Sequence, residues 1–289
     1  MESGRIALQK VGRASSCEVA KIDIVQFMKR ASIAVAFVFI AQSLFAQEYK
    51  DFGKERLNSS PRHAEWVDIK SGDKTIKAFV VYPERKEKTP VMIVIQEIFG
   101  VTDWLRSLCD ELAENGVIAI APDFLNGQKF EDGDSASKAV SAVTPDQVRT
   151  VLDATADYAL KIPAGNGKLI ACGFCRGGGW AFNYASENPK LKAVYSFYGT
   201  ALDDPAKIAK ILCPIYGFYG ENDERVNATI PKAEELMKAA GKKYEPVIYK
   251  GAGHGFMRSG EKSNPNYRDA DGKARDEAWA RWKMLLKQL

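Results

Sequence analysis

The hexapeptide Gly173-Phe174-Cys175-Arg176-Gly177-Gly178 follows an apolar run at 168–172 and precedes a helix-like segment at 180–186. In such a strand, sharp turn and helix, a nucleophile is pushed out of the sheet, and the glycines let the backbone bend and a carbonyl come close. The nucleophile position holds a thiol. A thiol nucleophile needs a base within hydrogen-bond reach and a group that orients that base. The chain has two histidines. His63, in Ser60-Pro61-Arg62-His63, reads as a surface residue. His254, in Gly251-Ala252-Gly253-His254-Gly255-Phe256, follows a strand-like run at 244–249 in a loop that packing explains poorly. Between nucleophile and histidine, an apolar run ends in Gly220-Glu221-Asn222-Asp223-Glu224, where Asp223 is the best orienting acid and Glu221 and Glu224 are alternatives.

The elements that must position these groups alternate. Segments 65–70 and 75–82 read as a hairpin around Ser71-Gly72-Asp73, and 90–96 as the first buried strand. A helix at 102–114 stops at Asn115-Gly116 and is followed by a strand at 117–121. The Gly- and Asp-rich stretch 125–137 reads as a surface loop or lid, and Thr144-Pro145-Asp146 starts a helix reaching about residue 161. Further strands are expected at 168–174, 193–198, 214–219 and 244–249, with helices at 230–240 and 270–287. Strands alternating with helices imply an α/β fold with a mainly parallel sheet and helices on both faces. Ligands bind such sheets at the carboxyl ends of the strands, where Gln96-Glu97-Ile98-Phe99-Gly100 places a carboxylate able to touch the thiol and influence its charge. Phe99, Trp180 and Phe256 adjoin these motifs and are the candidate pocket walls.

Nucleophile, acid and histidine in that chain order are the arrangement of the α/β-hydrolase sheet. From about Trp66 to the C-terminus the chain resembles the dienelactone hydrolase family of α/β-hydrolases. The resemblance rests on Gln96-Glu97-Ile98-Phe99-Gly100, Ala121-Pro122-Asp123, Gly173-Phe174-Cys175-Arg176-Gly177-Gly178, Asp223 and Gly253-His254-Gly255-Phe256. It implies a Cys175–Asp223–His254 triad, with Glu97 holding the resting thiol until substrate displaces it. It also implies an oxyanion hole at the backbone N–H groups of Ile98 and Arg176. Arg258 resembles an arginine with which the family binds a substrate carboxylate. A second such arginine is expected between Asp123 and Asp146, where the sequence has no arginine but does have Lys129.

With 289 residues and 46% hydrophobic composition, the chain can bury one large core and shows no internal repeat. Residues 28–46 have the pattern of a secretory signal: Met28-Lys29-Arg30, an apolar run, and a small residue, Ala46, at the expected cut. The apolar run is short for a membrane span of roughly 20 residues, so no stable anchor is expected after cleavage. Residues 1–27 read as an over-extended N-terminus, 47–64 as a linker and 65–289 as the catalytic domain. The net charge of +4 owes much to the leader, and the remainder is close to neutral, so no basic footprint for nucleic acid remains. An exported chain could form disulfides, but Cys109, Cys172 and Cys213 sit in apolar segments and read as buried free thiols.

The expected activity is hydrolysis of a small lactone or carboxylic ester through a cysteinyl acyl-enzyme, with no metal or organic cofactor, in the periplasm or outside the cell. Two rivals stand beside it. The C-x-x-C spacing of Cys172 and Cys175 allows a thiol-dependent oxidoreductase, and a non-catalytic binding module would keep the pocket without turnover.

Overall fold

A computed structural model describes residues 51–289. The segments 1–27 and 28–46, and their reading as an extended N-terminus and an export signal, lie outside the described residues. A short helix α1 (Lys54–Ser59) precedes the hairpin of β1 (Ala64–Ser71) and β2 (Lys74–Val81). There follow β3 (Thr89–Ile95), α2 (Asp103–Glu114), β4 (Ile118–Pro122), α3 (Gly133–Ser141) and α4 (Pro145–Ala159). The second half runs β5 (Gly165–Phe174), α5 (Arg176–Tyr184), β6 (Leu191–Phe197), α6 (Pro205–Ile208), β7 (Ile215–Gly220), α7 (Glu224–Asn227) and α8 (Ile230–Ala239). It closes with β8 (Tyr244–Tyr249), α9 (Phe256–Ser259) and α10 (Asp269–Leu286).

The sheet has the order β1-β2-β4-β3-β5-β6-β7-β8. The β1–β2 hairpin is antiparallel and β2 joins β4 antiparallel, while the pairs from β4 through β8 are parallel. This is the α/β-hydrolase fold expected from the alternation of elements. The unbroken apolar run of β3 follows from burial on both faces, as central parallel strands require. Met92 and Val94 pack with Trp104 and Leu108 of α2 and Trp279 and Trp282 of α10, whereas Val91, Ile93 and Ile95 face Leu152 and Ala156 of α4 and Phe182 of α5. Each such side chain contributes about 1.5–3 kcal/mol on burial.

Chain order turns at β3, which lies between β4 and β5, so the connections leaving β3 and β5 diverge and open a crevice at their carboxyl ends. In register, Ile95 faces Gly173, Phe174 faces Phe197, Phe197 faces Phe218, and Gly220 faces Tyr249. Those pairings bring the ends of β3, β5, β6, β7 and β8 to one rim.

Three expectations change. The linker at 47–64 contains α1, fastened by Arg56 and Arg62, whose guanidinium nitrogens donate to the buried Asp110 of α2 at 2.7–2.8 Å. Its helix escapes sequence reading because α1 buries no residue of its own. The loop expected at 125–137 holds through residue 132, and α3 takes the rest, started by the Asp132 side chain accepting from Ser135 N–H at 2.7 Å and held by buried Ala136 and Val140. Finally, α5 begins at Arg176, so its first turn contains three consecutive glycines.

Tight packing explains those glycines. A Cβ on Gly173 would collide with the carbonyl of Gly177, and one on Gly177 would collide with that of Gln96. On Gly178 it would lie 2.7 Å from the Phe197 carbonyl. The turn is thus wedged among three strand ends. Gly173→Ala should lower stability by about 1–3 kcal/mol, the usual cost of overpacking, and reduce thiol reactivity because the turn must open. Thermal melting beside thiol alkylation checks this; a melting temperature equal to that of the wild type would show that the wedge tolerates a methyl group.

Candidate active site

Cys175 occupies the apex of the turn after β5, with φ 55° and ψ −119°. A non-glycine residue there is strained by about 1–3 kcal/mol and persists only where its surroundings over-determine it. They do so through the backbone. Cys175 N–H donates to Phe197 O at 3.0 Å, and its carbonyl accepts from Gly178 N–H at 3.0 Å. The side chain is left half-buried, facing His254.

The thiol Sγ lies 3.1 Å from His254 Nε2, and His254 Nδ1 lies 2.5 Å from Asp223 Oδ2. Asp223 is buried at the end of β7, where its carbonyl accepts from Asn227 N–H at 2.9 Å and so starts α7. The alternative acids serve elsewhere: Glu221 accepts from Gly251 N–H at 2.8 Å, and Glu224 is exposed. His63 is also exposed, stacked on Tyr82 with ring centroids 5.6 Å apart.

His254 is held by a device the sequence does not reveal. Buried Asp271 of α10 accepts from Gly253 N–H at 2.8 Å through Oδ1 and from the Ser259 hydroxyl through Oδ2, and it pairs with Arg268. One carboxylate therefore fixes the residue before His254 and the end of α9 together. Burial tends to lower the pKa of the His254 imidazole, but hydrogen bonds to Asp223 and Cys175, with their charges, override it and raise the pKa from 6.5 to about 10.

Glu97 sits at the end of β3, buried. Its Oε1 accepts from the Tyr198 hydroxyl at 3.0 Å and its Oε2 from Arg258 Nε at 2.8 Å. The expectation that Glu97 holds the resting thiol is therefore corrected: the thiol's hydrogen-bond partner is His254, and Glu97 is occupied by Tyr198 and Arg258. Tyr198, the residue after β6, is strained at φ 39° and fully buried. Burial first, and the neighbouring Glu97 charge second, push its phenol pKa well up, so the hydroxyl remains a donor. Its place at a strand end beside Gly199 was a signal, but core packing explains most such tyrosines equally well.

Cys175, Glu97, Tyr198, His254 and Arg258 open onto a cavity of about 490 Å³. Ile98, Phe99 and Arg176 also line it, as do Ser137, Val140 and Ser141 of α3. Arg176 is the first residue of α5, so its N–H has no helical carbonyl to bond and is available to an oxyanion beside Sγ. Phe99 carries the Arg258 guanidinium 5.1 Å from its ring centre. The other expected walls lie elsewhere. Trp180 packs on Phe124, 5.0 Å between centroids, and Phe256 is fully buried against Tyr198 and Tyr249. Lys129 pairs with Asp103 and Asp51 rather than entering the cavity. Cys172 is fully buried inside β5, and burial drives its thiol pKa far up, so the C-x-x-C pair offers no accessible dithiol.

The sheet, the elbow and the acid–histidine pair define an α/β hydrolase. Residues 76–289 match the sequence profile of the dienelactone hydrolase family, and the chain belongs to that family. Candidate carboxymethylenebutenolidases of Yersinia pestis and Escherichia coli are similar to it. The Yersinia protein is 32% identical over 76% of this chain and 86% of its own length. The Escherichia coli protein is 33% identical over 78% and 87%. A Klebsiella pneumoniae structure described as a dienelactone hydrolase superposes with a TM-score of 0.70 at 29% identity, covering 79% of this chain and 99% of that one. A thermophilic carboxylesterase from a metagenomic library shares the fold, with a TM-score of 0.57 at 17% identity over 79% of this chain and 91% of its own.

Two outcomes follow from the site. In an NMR titration the His254 imidazole should keep its second proton through neutral pH and lose it as pH rises through about 10. Asp223→Asn should move that midpoint down, because the acceptor loses its charge; a wild-type midpoint near 6.5 would overturn the raised pKa. Asp271→Ala leaves Gly253 N–H and the Ser259 hydroxyl unpaired, which should cost about 1–3 kcal/mol of stability. It should also lower kcat more than it raises KM, and denaturant melts read beside steady-state kinetics test both effects.

Proposed function

We propose that this protein hydrolyses a lactone or carboxylic ester through a cysteinyl acyl-enzyme. The observation that carries the reading is the continuous chain Asp223–His254–Cys175, at 2.5 and 3.1 Å, ending at a cavity-facing sulfur. Names of the similar Yersinia and Escherichia coli proteins support the lactone as a substrate type.

The reaction runs in two halves. Cys175 Sγ, as thiolate, attacks the carbonyl carbon while the imidazolium holds the proton. The oxygen that becomes negative is stabilised by the N–H groups of Ile98 and Arg176, each worth roughly 3 kcal/mol in comparable sites. On collapse, the C–O bond to the leaving alcohol breaks, and His254 Nε2 gives its proton to the departing alkoxide. A lactone's alcohol stays tethered to the acyl group. Water then attacks the thioester, losing a proton to His254, and the acid leaves as the C–S bond breaks and sulfur regains its starting state. Asp223 keeps Nδ1 protonated throughout, so that Nε2 performs every transfer.

Glu97 acts beside this cycle. A substrate carboxylate reaching Arg258 competes with Glu97 for the guanidinium, and a displaced Glu97 stays in the same cavity as the sulfur. Export through the 28–46 signal belongs to the same proposal, and the N-terminal peptide of the natural protein identifies the cut.

Cys175→Ala should eliminate turnover of p-nitrophenyl esters and small lactones, a loss of at least about 10⁴-fold by analogy with other triads, while melting like the wild type. Acid-quenched wild type mixed with an activated ester should carry one acyl mass on the peptide containing Cys175. Turnover in Cys175→Ala would end the thiol mechanism, and a wild type that forms no acyl adduct with any ester or lactone would favour a binding module.

A further inference from the structure

Ala121-Pro122-Asp123, one of the motifs that carry the family resemblance, has no place in the reaction at Cys175. Asp123 directly follows β4, is buried, and does not line the Cys175 cavity. Its N–H donates to Lys77 O of β2 at 2.8 Å. Its carboxylate turns forward along the chain, one oxygen accepting from Leu125 N–H at 2.8 Å and the other from Gly127 N–H. Burial pushes the carboxyl pKa up, against the pull of those two bonds. Taking a carboxylate out of water is unfavourable, and the groups that offset it here are two N–H donors of a single loop.

That loop, 123–130, reaches both donors of the oxyanion hole. Toward Arg176, Phe124 packs on Trp180 with 5.0 Å between ring centroids, so the loop bears on α5, the helix that Arg176 begins. Toward Ile98, the Gln128 carbonyl lies so close to Gly100 that a Cβ there would meet the oxygen at 2.4 Å. Gly100 has φ 92°, a conformation glycine adopts readily and other residues resist. Phe130 N–H donates to Phe99 O at 3.4 Å, and Lys129 Nζ donates to Asp103 Oδ1 of α2 at 2.9 Å. The turn that presents Ile98 is thus braced at Phe99, Gly100 and Asp103 by one loop, and one carboxylate shapes that loop.

We infer that Asp123 is a positioning residue: through the loop 123–130 it sets the spacing between the Ile98 and Arg176 N–H groups that receive the developing oxyanion. The inference rests on the hydrolase reading and deepens it. Donors of this kind act by being fixed before charge develops, so a small displacement weakens the transition state and leaves ground-state binding almost unchanged. Asp123→Asn keeps the size of the side chain and one acceptor oxygen, but sets an NH2 group against the N–H of Leu125 or of Gly127.

The test uses 4-nitrophenyl butyrate, iodoacetamide and butanal labelled with carbon-13 at the carbonyl. Asp123→Asn should lose about 10–100-fold in kcat, the cost of displacing one donor, with KM within about 3-fold. Alkylation of Cys175 by iodoacetamide, which uses the thiolate and develops no oxyanion, should stay within about 2-fold of wild type. Butanal needs no turnover: Sγ attacks the aldehyde carbon, the carbonyl π pair moves to oxygen, and the thiol proton passes through His254 to that oxygen. The resulting hemithioacetal, followed by NMR, should be about tenfold weaker in Asp123→Asn, the worth of one hydrogen bond. An unchanged kcat, a loss carried by KM, alkylation falling in parallel with kcat, equal butanal affinities, or no hemithioacetal in wild type would each overturn the inference. Should Asp123→Asn fail to fold, Lys129→Met cuts only the surface ties of the loop and should show the same pattern at about 2–5-fold, the worth of an exposed ion pair. Unchanged kcat and butanal affinity in Lys129→Met would then overturn it. If wild type hydrolyses no ester, the hydrolase reading fails while the butanal titration still decides the role of Asp123.

Discussion

The structure depends on one close approach: Gly177 and Gly178 pack onto the carbonyls of neighbouring strand ends and Gly173 onto that of Gly177, around Cys175 at φ 55°. Any side chain at Gly173 or Gly177 would fill space that a carbonyl occupies. The wedge joins β3, β5 and β6, and through that union the Cys175 sulfur, the Ile98 N–H and the Glu97 carboxylate share one cavity. Strain at the apex is sustained by the buried sheet beneath it, whose central strands are apolar on both faces. A loose sheet would let the turn relax and withdraw the thiol.

Charge in the cavity is arranged in layers. Deepest lies the Tyr198–Glu97–Arg258 cluster, where one carboxylate satisfies a phenol and a guanidinium. Beside it runs the Asp223–His254–Cys175 chain, in which the imidazole meets the carboxylate through Nδ1 and the sulfur through Nε2. Outermost are Arg176 and Arg225, left to solvent.

Much of this was legible because the chemistry demands particular residue types at strand ends. Cys175, Asp223 and His254 stand within glycine-rich or polar breaks after apolar runs, and such breaks mark carboxyl ends of strands in the alternating pattern. The parallel sheet followed from the same periodicity. Partnerships were less legible. Glu97 was read against the thiol because both lie after neighbouring strands, yet its partners are Tyr198 and Arg258, a choice made by three-dimensional reach that spacing does not encode. Asp271 could not be singled out, since an aspartate in the first turn of a helix is ordinary helix chemistry. Trp180 misled because adjacency to the turn in sequence does not fix which neighbour a side chain meets, and its partner is Phe124.

The burial of the other thiols bears on how the protein meets an oxidant. Cys109, Cys172 and Cys213 are sealed within apolar packing, and burial pushes each of their thiol pKa values up. Among the described residues, Cys175 is the one cysteine that is not buried. A peroxide or small disulfide that reaches the protein therefore meets a single chemical address, and the sulfenic acid or mixed disulfide formed there has no accessible thiol within its own domain to resolve it. Recovery of the oxidised protein must then come from a reductant delivered through the same opening that admits the substrate.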